Sequence, residues 1–150
     1  MAKTLGYLIT WTTYGTWLQG DERGYVKHGK IYPANKALMQ ANKQTKLQDA
    51  VILSKAQQQI VKEAIIKEAQ VQSQRIFALA VQPNHVHIVA EYTPQPISKI
   101  VACYKKAGRL ALKGLGHKGK LWTRGYDKRF CFDKANLKQR IGYVEGQNPA

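Results

Sequence analysis

The segment VQPNHVHIVAEY, residues 81–92, places His85 and His87 one residue apart inside a run of β-branched side chains. Alternate residues of a strand point to one face, so the two imidazoles project together while Val86 and Ile88 turn into a core. Two imidazoles at that spacing can share one divalent cation. Paired histidines are also found simply solvated, and a metal site here needs a third ligand from elsewhere in the chain.

The C-terminal stretch DKANLKQRIGYVEGQ offers one. Tyr143 and Gln147 are four residues apart and so share a helical face. A free phenol ionises near pH ~10. A cation beside it lowers that value and polarises a phosphate oxygen, which makes tyrosine a nucleophile. Gln147 can supply an amide oxygen to the same cation. The bland alternative is a Tyr143 that packs the helix on a sheet and a Gln147 solvated at the helix end. Gly142 and Gly146 each cost the helix about 1 kcal/mol relative to alanine, or mark a hinge. If Gly146 ends the helix, Asn148, just before Pro149, is the rival third ligand.

These residues need elements to hold them. Residues 5–17, LGYLITWTTYGTW, read as a strand rich in aromatic and β-branched residues. A long polar loop over 18–48 follows, with Asp21, Glu22 and Arg23 as a solvated turn. Residues 53–72 read as a helix capped by Ser54, and RIFALAVQ with HVHIVAEY as a hairpin around Pro83-Asn84. Residues 96–114 read as a second helix, with Pro96 in its first turn and Ser98 as an alternative cap. Its expected buried stripe is Ile97, Ile100, Val101, Tyr104, Leu110 and Ala111. LWTRGYDKRFCF reads as a last strand, and Asp133 as the N-cap of a C-terminal helix. One antiparallel sheet with helices on one face fits this order, an α+β fold.

Charge narrows the partner. Lys and Arg total 24 against 9 Asp and Glu, a net charge of +15, which points to nucleic acid. No basic amphipathic helix with a bulky apolar face argues for an anionic membrane instead. The excess concentrates between Lys99 and Arg140. There Lys105, Lys106, Arg109, Lys113, Lys120, Trp122, Arg124, Lys128 and Arg129 are candidate DNA-binding residues, cations for phosphates interleaved with aromatic rings for bases. Trp11 and Trp17 read as core, Tyr104 and Tyr126 as packing or stacking residues. His28 and His117 read as solvated or phosphate-contacting. Cys103 and Cys131 match no disulfide or zinc pattern and read as small core residues. Without a signal peptide or a membrane-spanning apolar run, the expected setting is cytoplasmic.

Together the motifs carry a resemblance. HVH, followed by a tyrosine on a C-terminal helix with a polar residue four places on, resembles the single-tyrosine HUH transposases, with the REP-associated tyrosine transposases as the nearest subgroup. TWTTYGTWL looks like the family's first strand and PNHVHIV its metal motif. LWTRGYDKRF resembles the strand before the nucleophile helix, and YVEGQNP the tyrosine-containing end. The resemblance implies a single domain over residues 1–150 with a ferredoxin-like, RRM-like antiparallel sheet. It implies Tyr143 as the nucleophile, and His85, His87 and Gln147 as ligands to Mg²⁺ or Mn²⁺. The expected reaction cuts single-stranded DNA near a hairpin through a 5′-phosphotyrosine. The resemblance also implies a homodimer, though the REP-associated subgroup includes monomeric action. A non-catalytic binder of single-stranded or hairpin nucleic acid on the same sheet is the alternative, and it needs no histidine–tyrosine triad. A replication or conjugation initiator with the same nicking chemistry is a third reading.

Overall fold

The computed structural model describes residues 3–16 and 50–147. The expected loop over 18–48, Trp17, His28, Asn148 and Pro149 lie outside the described residues. Strand β1 runs from Gly6 to Thr12, and its alternation splits the sequence cleanly. Tyr7, Ile9 and Trp11 take one face, Leu8, Thr10 and Thr12 the other. Helix α1, Lys55–Val71, begins at Ser54 with a reciprocal cap. Gln57 N–H donates to Ser54 Oγ at 3.1 Å, and Ser54 N–H donates to Gln57 Oε1 at 2.9 Å. Strands β2, Ile76–Val81, and β3, His85–Glu91, form the expected hairpin.

Helix α2 spans Ile97–Lys113 with Pro96 itself as N-cap, so Ser98 is not the cap. Strand β4, Asp127–Cys131, is shorter than the sequence suggested. Upstream of it, Trp122 pairs with Thr13 in an isolated bridge, and the chain then bulges out through Gly125, whose φ is +90°. Helix α3, Lys134–Glu145, starts at Asp133, whose carboxylate accepts from Asn136 N–H at 2.7 Å.

The four strands form one antiparallel sheet in the order β2-β3-β1-β4. The first strand is thus central, the ferredoxin-like arrangement that two β-α-β units generate. On one face, Tyr7, Ile9, Trp11, Val86 and Ile88 meet Val61 and Ile65 of α1 and Ile100 and Tyr104 of α2. The helices are not all on this side. A smaller cluster on the opposite face joins Leu8, Ala78, Ala80 and Val89 to Leu137, Ile141 and Val144 of α3. Leu110, expected in the buried stripe of α2, is exposed, while Gly108 and Leu112 are buried in the helix. Cys131 is buried and Cys103 half-buried.

Two features show why the sheet is exacting. A Cβ at Gly6 would sit 2.6 Å from Ala90 O, so only glycine lets β1 lie this close to β3. Beneath α1 and α2, Gln74 Nε2 donates to Tyr7 Oη at 2.6 Å, and Tyr104 Oη donates to Gln74 Oε1. All three residues are buried, and the shared amide satisfies both phenols. Among the described residues, no helix is long and apolar enough to cross a membrane.

Candidate active site

The register of β1 against β3 sets Thr10 opposite His87 and Thr12 opposite His85. Directly opposed residues share a face, so both histidines look toward α3, away from the main core. Their rings lie 4.6 Å apart between centroids. His87 is 8% exposed, and its Nδ1 is hydrogen-bonded to Thr10 Oγ1 at 2.8 Å. His85 Nδ1 is bonded to Asn84 Oδ1 at 2.7 Å. An amide oxygen only accepts, so His85 carries its proton on Nδ1 and keeps the lone pair on Nε2. The bond to Thr10 allows His87 the same tautomer.

Burial keeps both rings neutral. It lowers the His85 pKa, and it lowers that of His87 to about 4, with repulsion from His85 adding to the shift. Two neutral imidazoles on one face, each tethered through Nδ1, are the donor type that a borderline divalent cation accepts. On that chemistry the pair fits a divalent metal ion. Among the described residues, no cluster of three His, Cys, Asp or Glu side chains completes such a site.

Helix α3 brings Tyr143 over this pair. Leu137, Ile141 and Val144 pack its base on the sheet, and the ring of Tyr143 stands 5.7 Å from that of His87, nearly edge-on at 73°. The phenol is 51% exposed, open to a large substrate. Nucleophile candidate and histidines therefore meet within one chain. Gly146 is the C-cap that ends α3 after Glu145. Its φ of −65° and ψ of −16° are right-handed, its N–H bonds Gly142 O at 3.0 Å, and Gln147 N–H bonds Val144 O at 3.0 Å. Gln147 thus lies one residue past the cap, in a turn outside α3 rather than on the helical face of Tyr143, and its carbonyl accepts from Gln82 Nε2, just past β2. The structure shows no bond between the Gln147 amide and either imidazole.

The nine candidate DNA-binding residues fall in different places. Arg129 is opposite Leu8 and so shares the histidine face, where it pairs with Asp127 at 3.3 Å. Lys128 lies on the other face. Lys106, Arg109 and Lys113 are exposed on α2, and Arg124 is exposed in the bulge. Lys120 places its ammonium 5.7 Å from the Tyr14 ring centroid. Lys105 and Trp122 differ from expectation. Lys105 Nζ donates to Thr123 O at 3.0 Å and Gly125 O at 2.7 Å, fastening the bulge to α2, and burial lowers its pKa. Trp122 donates to Lys105 O at 2.9 Å and packs edge-to-face on Trp11, so its ring is committed to the protein. Tyr104 is a buried packing residue, and Tyr126 packs against the same core.

Thr10 and Asn84 were missed in the sequence. Asn84 read only as a turn residue, although its place directly before His85 is a signal. Thr10 carries no local signal, because its partner lies 77 residues away.

Residues 43–147 match the family described as Transposase IS200 like. The chain belongs to that family, a family of transposases. Its fold is similar to that of a REP-associated tyrosine transposase solved bound to a REP hairpin. The TM-score is 0.58 at 14% identity, over 95% of this chain and 65% of that one. This chain thus spans about two thirds of that relative's length. It is also similar to a Deinococcus radiodurans R1 protein of known crystal structure. There the TM-score is 0.50 at 19% identity, over 100% of this chain and 95% of that one. No curated protein matches the sequence.

Proposed function

We propose that this protein is a metal-dependent single-strand DNA transposase that cleaves next to a hairpin through Tyr143. The carrying observation is the 5.7 Å approach of Tyr143 to His87 in a chain of the IS200-like family. The phenol oxygen attacks the scissile phosphorus as its proton leaves, and the bond to the 3′ oxygen breaks. That oxygen takes up a proton and departs as a 3′-hydroxyl. The phosphate stays on the 5′ side of the downstream strand, joined to Tyr143. One phosphoester replaces another, so no nucleotide cofactor is consumed. Later attack by a 3′-hydroxyl reverses the exchange and rejoins strands.

His85 and His87 would hold Mg²⁺ or Mn²⁺, with Gln147 as the third ligand. A bound divalent cation supplies Lewis-acid polarisation of the scissile phosphate. Asn84 holds His85 in the ligating tautomer, the bond to Thr10 is compatible with the same tautomer of His87, and the half-exposed Tyr143 leaves room for a strand to lie across α3. Arg129 is on the correct face to meet a phosphate. Lys106, Arg109, Lys113, Lys120, Arg124 and Lys128 meet other parts of the DNA, while Lys105 and Trp122 act through the shape of the bulge. The relative solved on a REP hairpin supports hairpin DNA as the substrate. In this reading one domain suffices, the setting is cytoplasmic, and each copy of a homodimer carries its own nucleophile and histidines.

The test is incubation with labelled single-stranded hairpin DNA from the protein's own locus, with Mn²⁺ or with EDTA, beside Tyr143→Phe. The expected result is a covalent adduct that needs the metal and is lost in the variant. Tight hairpin binding with no adduct in the wild type overturns the reading in favour of a pure binder.

A further inference from the structure

Strand β4 is an edge of the sheet, and its two faces carry different chemistry. Asp127 and Arg129 look toward the histidine side. Lys128 and Phe130, opposite Ile9 and Tyr7, look the other way. That second face is only partly covered. Phe130 is 39% exposed and Phe132, just past the strand, is 52% exposed. Their ring centroids are 6.1 Å apart with planes tilted by 33°, and Phe130 meets buried Tyr7 in a T-shaped contact, 6.4 Å between centroids. The Lys128 ammonium lies 5.9 Å from the Phe130 centroid. Two large apolar rings kept near water on an edge strand contribute less to the core than buried ones would. What they offer is a pair of aromatic rings, one braced by Tyr7, with a cation close by.

We infer that Phe130 and Phe132 form a stacking platform for unpaired bases of a DNA strand, with Lys128 meeting its backbone, on the face of the sheet opposite Tyr143. Rings of this kind accept any base, while the adjacent cation favours a polyanion. The net charge of +15 favours the same occupant over a second, equally basic copy of this chain. The inference rests on the single-strand reading above. It adds to that reading a second contact point, so that a strand engaged at Tyr143 continues around the β4 edge.

The test is equilibrium binding of a fluorescein-labelled, mixed-sequence single strand of DNA without a hairpin. Wild type, Phe130→Ala, Phe132→Ala and Phe130→Trp are compared after circular dichroism shows each to be folded. Either alanine variant weakens binding about 5- to 100-fold, and tryptophan preserves it. Scanning an abasic site along the strand keeps the inference testable even for a variant that fails to fold. In the wild type, one or two positions lose affinity when the base is removed. Unchanged affinity in folded alanine variants, or a flat abasic scan, overturns the platform. So does a shift of wild-type dimers to monomers in the variants without loss of DNA binding, which assigns the rings to self-association. The tyrosine chemistry is read separately from adduct formation. A platform without an adduct sinks the nuclease reading alone, and an adduct without base-dependent binding sinks the platform alone.

Discussion

Thr10 and His87 face each other across the β1–β3 pair, and the threonine hydroxyl is bonded to the imidazole Nδ1 at 2.8 Å. This bond makes a buried histidine a directed one, because a ring held at Nδ1 presents Nε2. Thr10→Val keeps the side-chain shape and removes the bond. Mn²⁺ affinity of the DNA-free protein, measured by calorimetric titration, is expected to fall about 10- to 100-fold, and Thr10→Ser to restore it.

Acid stability follows from the same ring. The His87 pKa is lowered from 6.5 to about 4 by folding, so below pH 6.5 the unfolded chain takes up a proton that the folded chain refuses. Stability therefore falls as pH drops from 6.5 to about 4 and this contribution levels off below that. The loss is at most about 3 kcal/mol from this group, with His85 acting in the same direction. Urea midpoints of metal-free protein across that range check it, and His87→Asn flattens the slope.

Gly6 predicts a severe effect from a small change. In Gly6→Ala the new methyl meets Ala90 O at 2.6 Å and Leu137 Cδ1 at 3.2 Å. The leucine can turn aside, but the carbonyl belongs to the β3 backbone. Chemical denaturation should show a loss of about 2 kcal/mol or more.

Just past the end of α3, Gln147 is tethered by one side chain from the turn after β2. Gln82→Ala removes the donor to the Gln147 carbonyl. Faster amide exchange in the last turn of α3 is expected, with adduct formation slower by about tenfold and DNA affinity little changed. Equal exchange rates in both proteins would show that the tether does not hold the helix.

Local periodicity made much of this arrangement legible. A two-residue period put His85 and His87 on one face and Val86 and Ile88 on the other. The caps at Ser54 and Asp133 were readable because capping needs only neighbouring residues. What could not be read depended on tertiary pairing. Lys105 has the composition of a phosphate contact, yet the bulge folds back and offers it two carbonyls. Trp122 has the composition of a stacking residue, yet it meets Trp11 of β1 edge-to-face and donates to Lys105 O. The side of the sheet taken by α3 was equally hidden. Only the cluster of Leu137, Ile141 and Val144 on Leu8 and Val89 decides it, and no single segment contains that information.

The strand order carries a consequence for the life of the polypeptide. The first strand lies at the sheet's centre and the last helix supplies the phenol, so the site joins Thr10, His87 and Tyr143 from both ends of the described chain. A ribosome delivers these parts in sequence, and the central strand waits for partners made long after it. Until α3 emerges and docks, the nascent protein has histidines but no phenol beside them. A chain whose synthesis is cut short before residue 143 is thereby born without its proposed nucleophile.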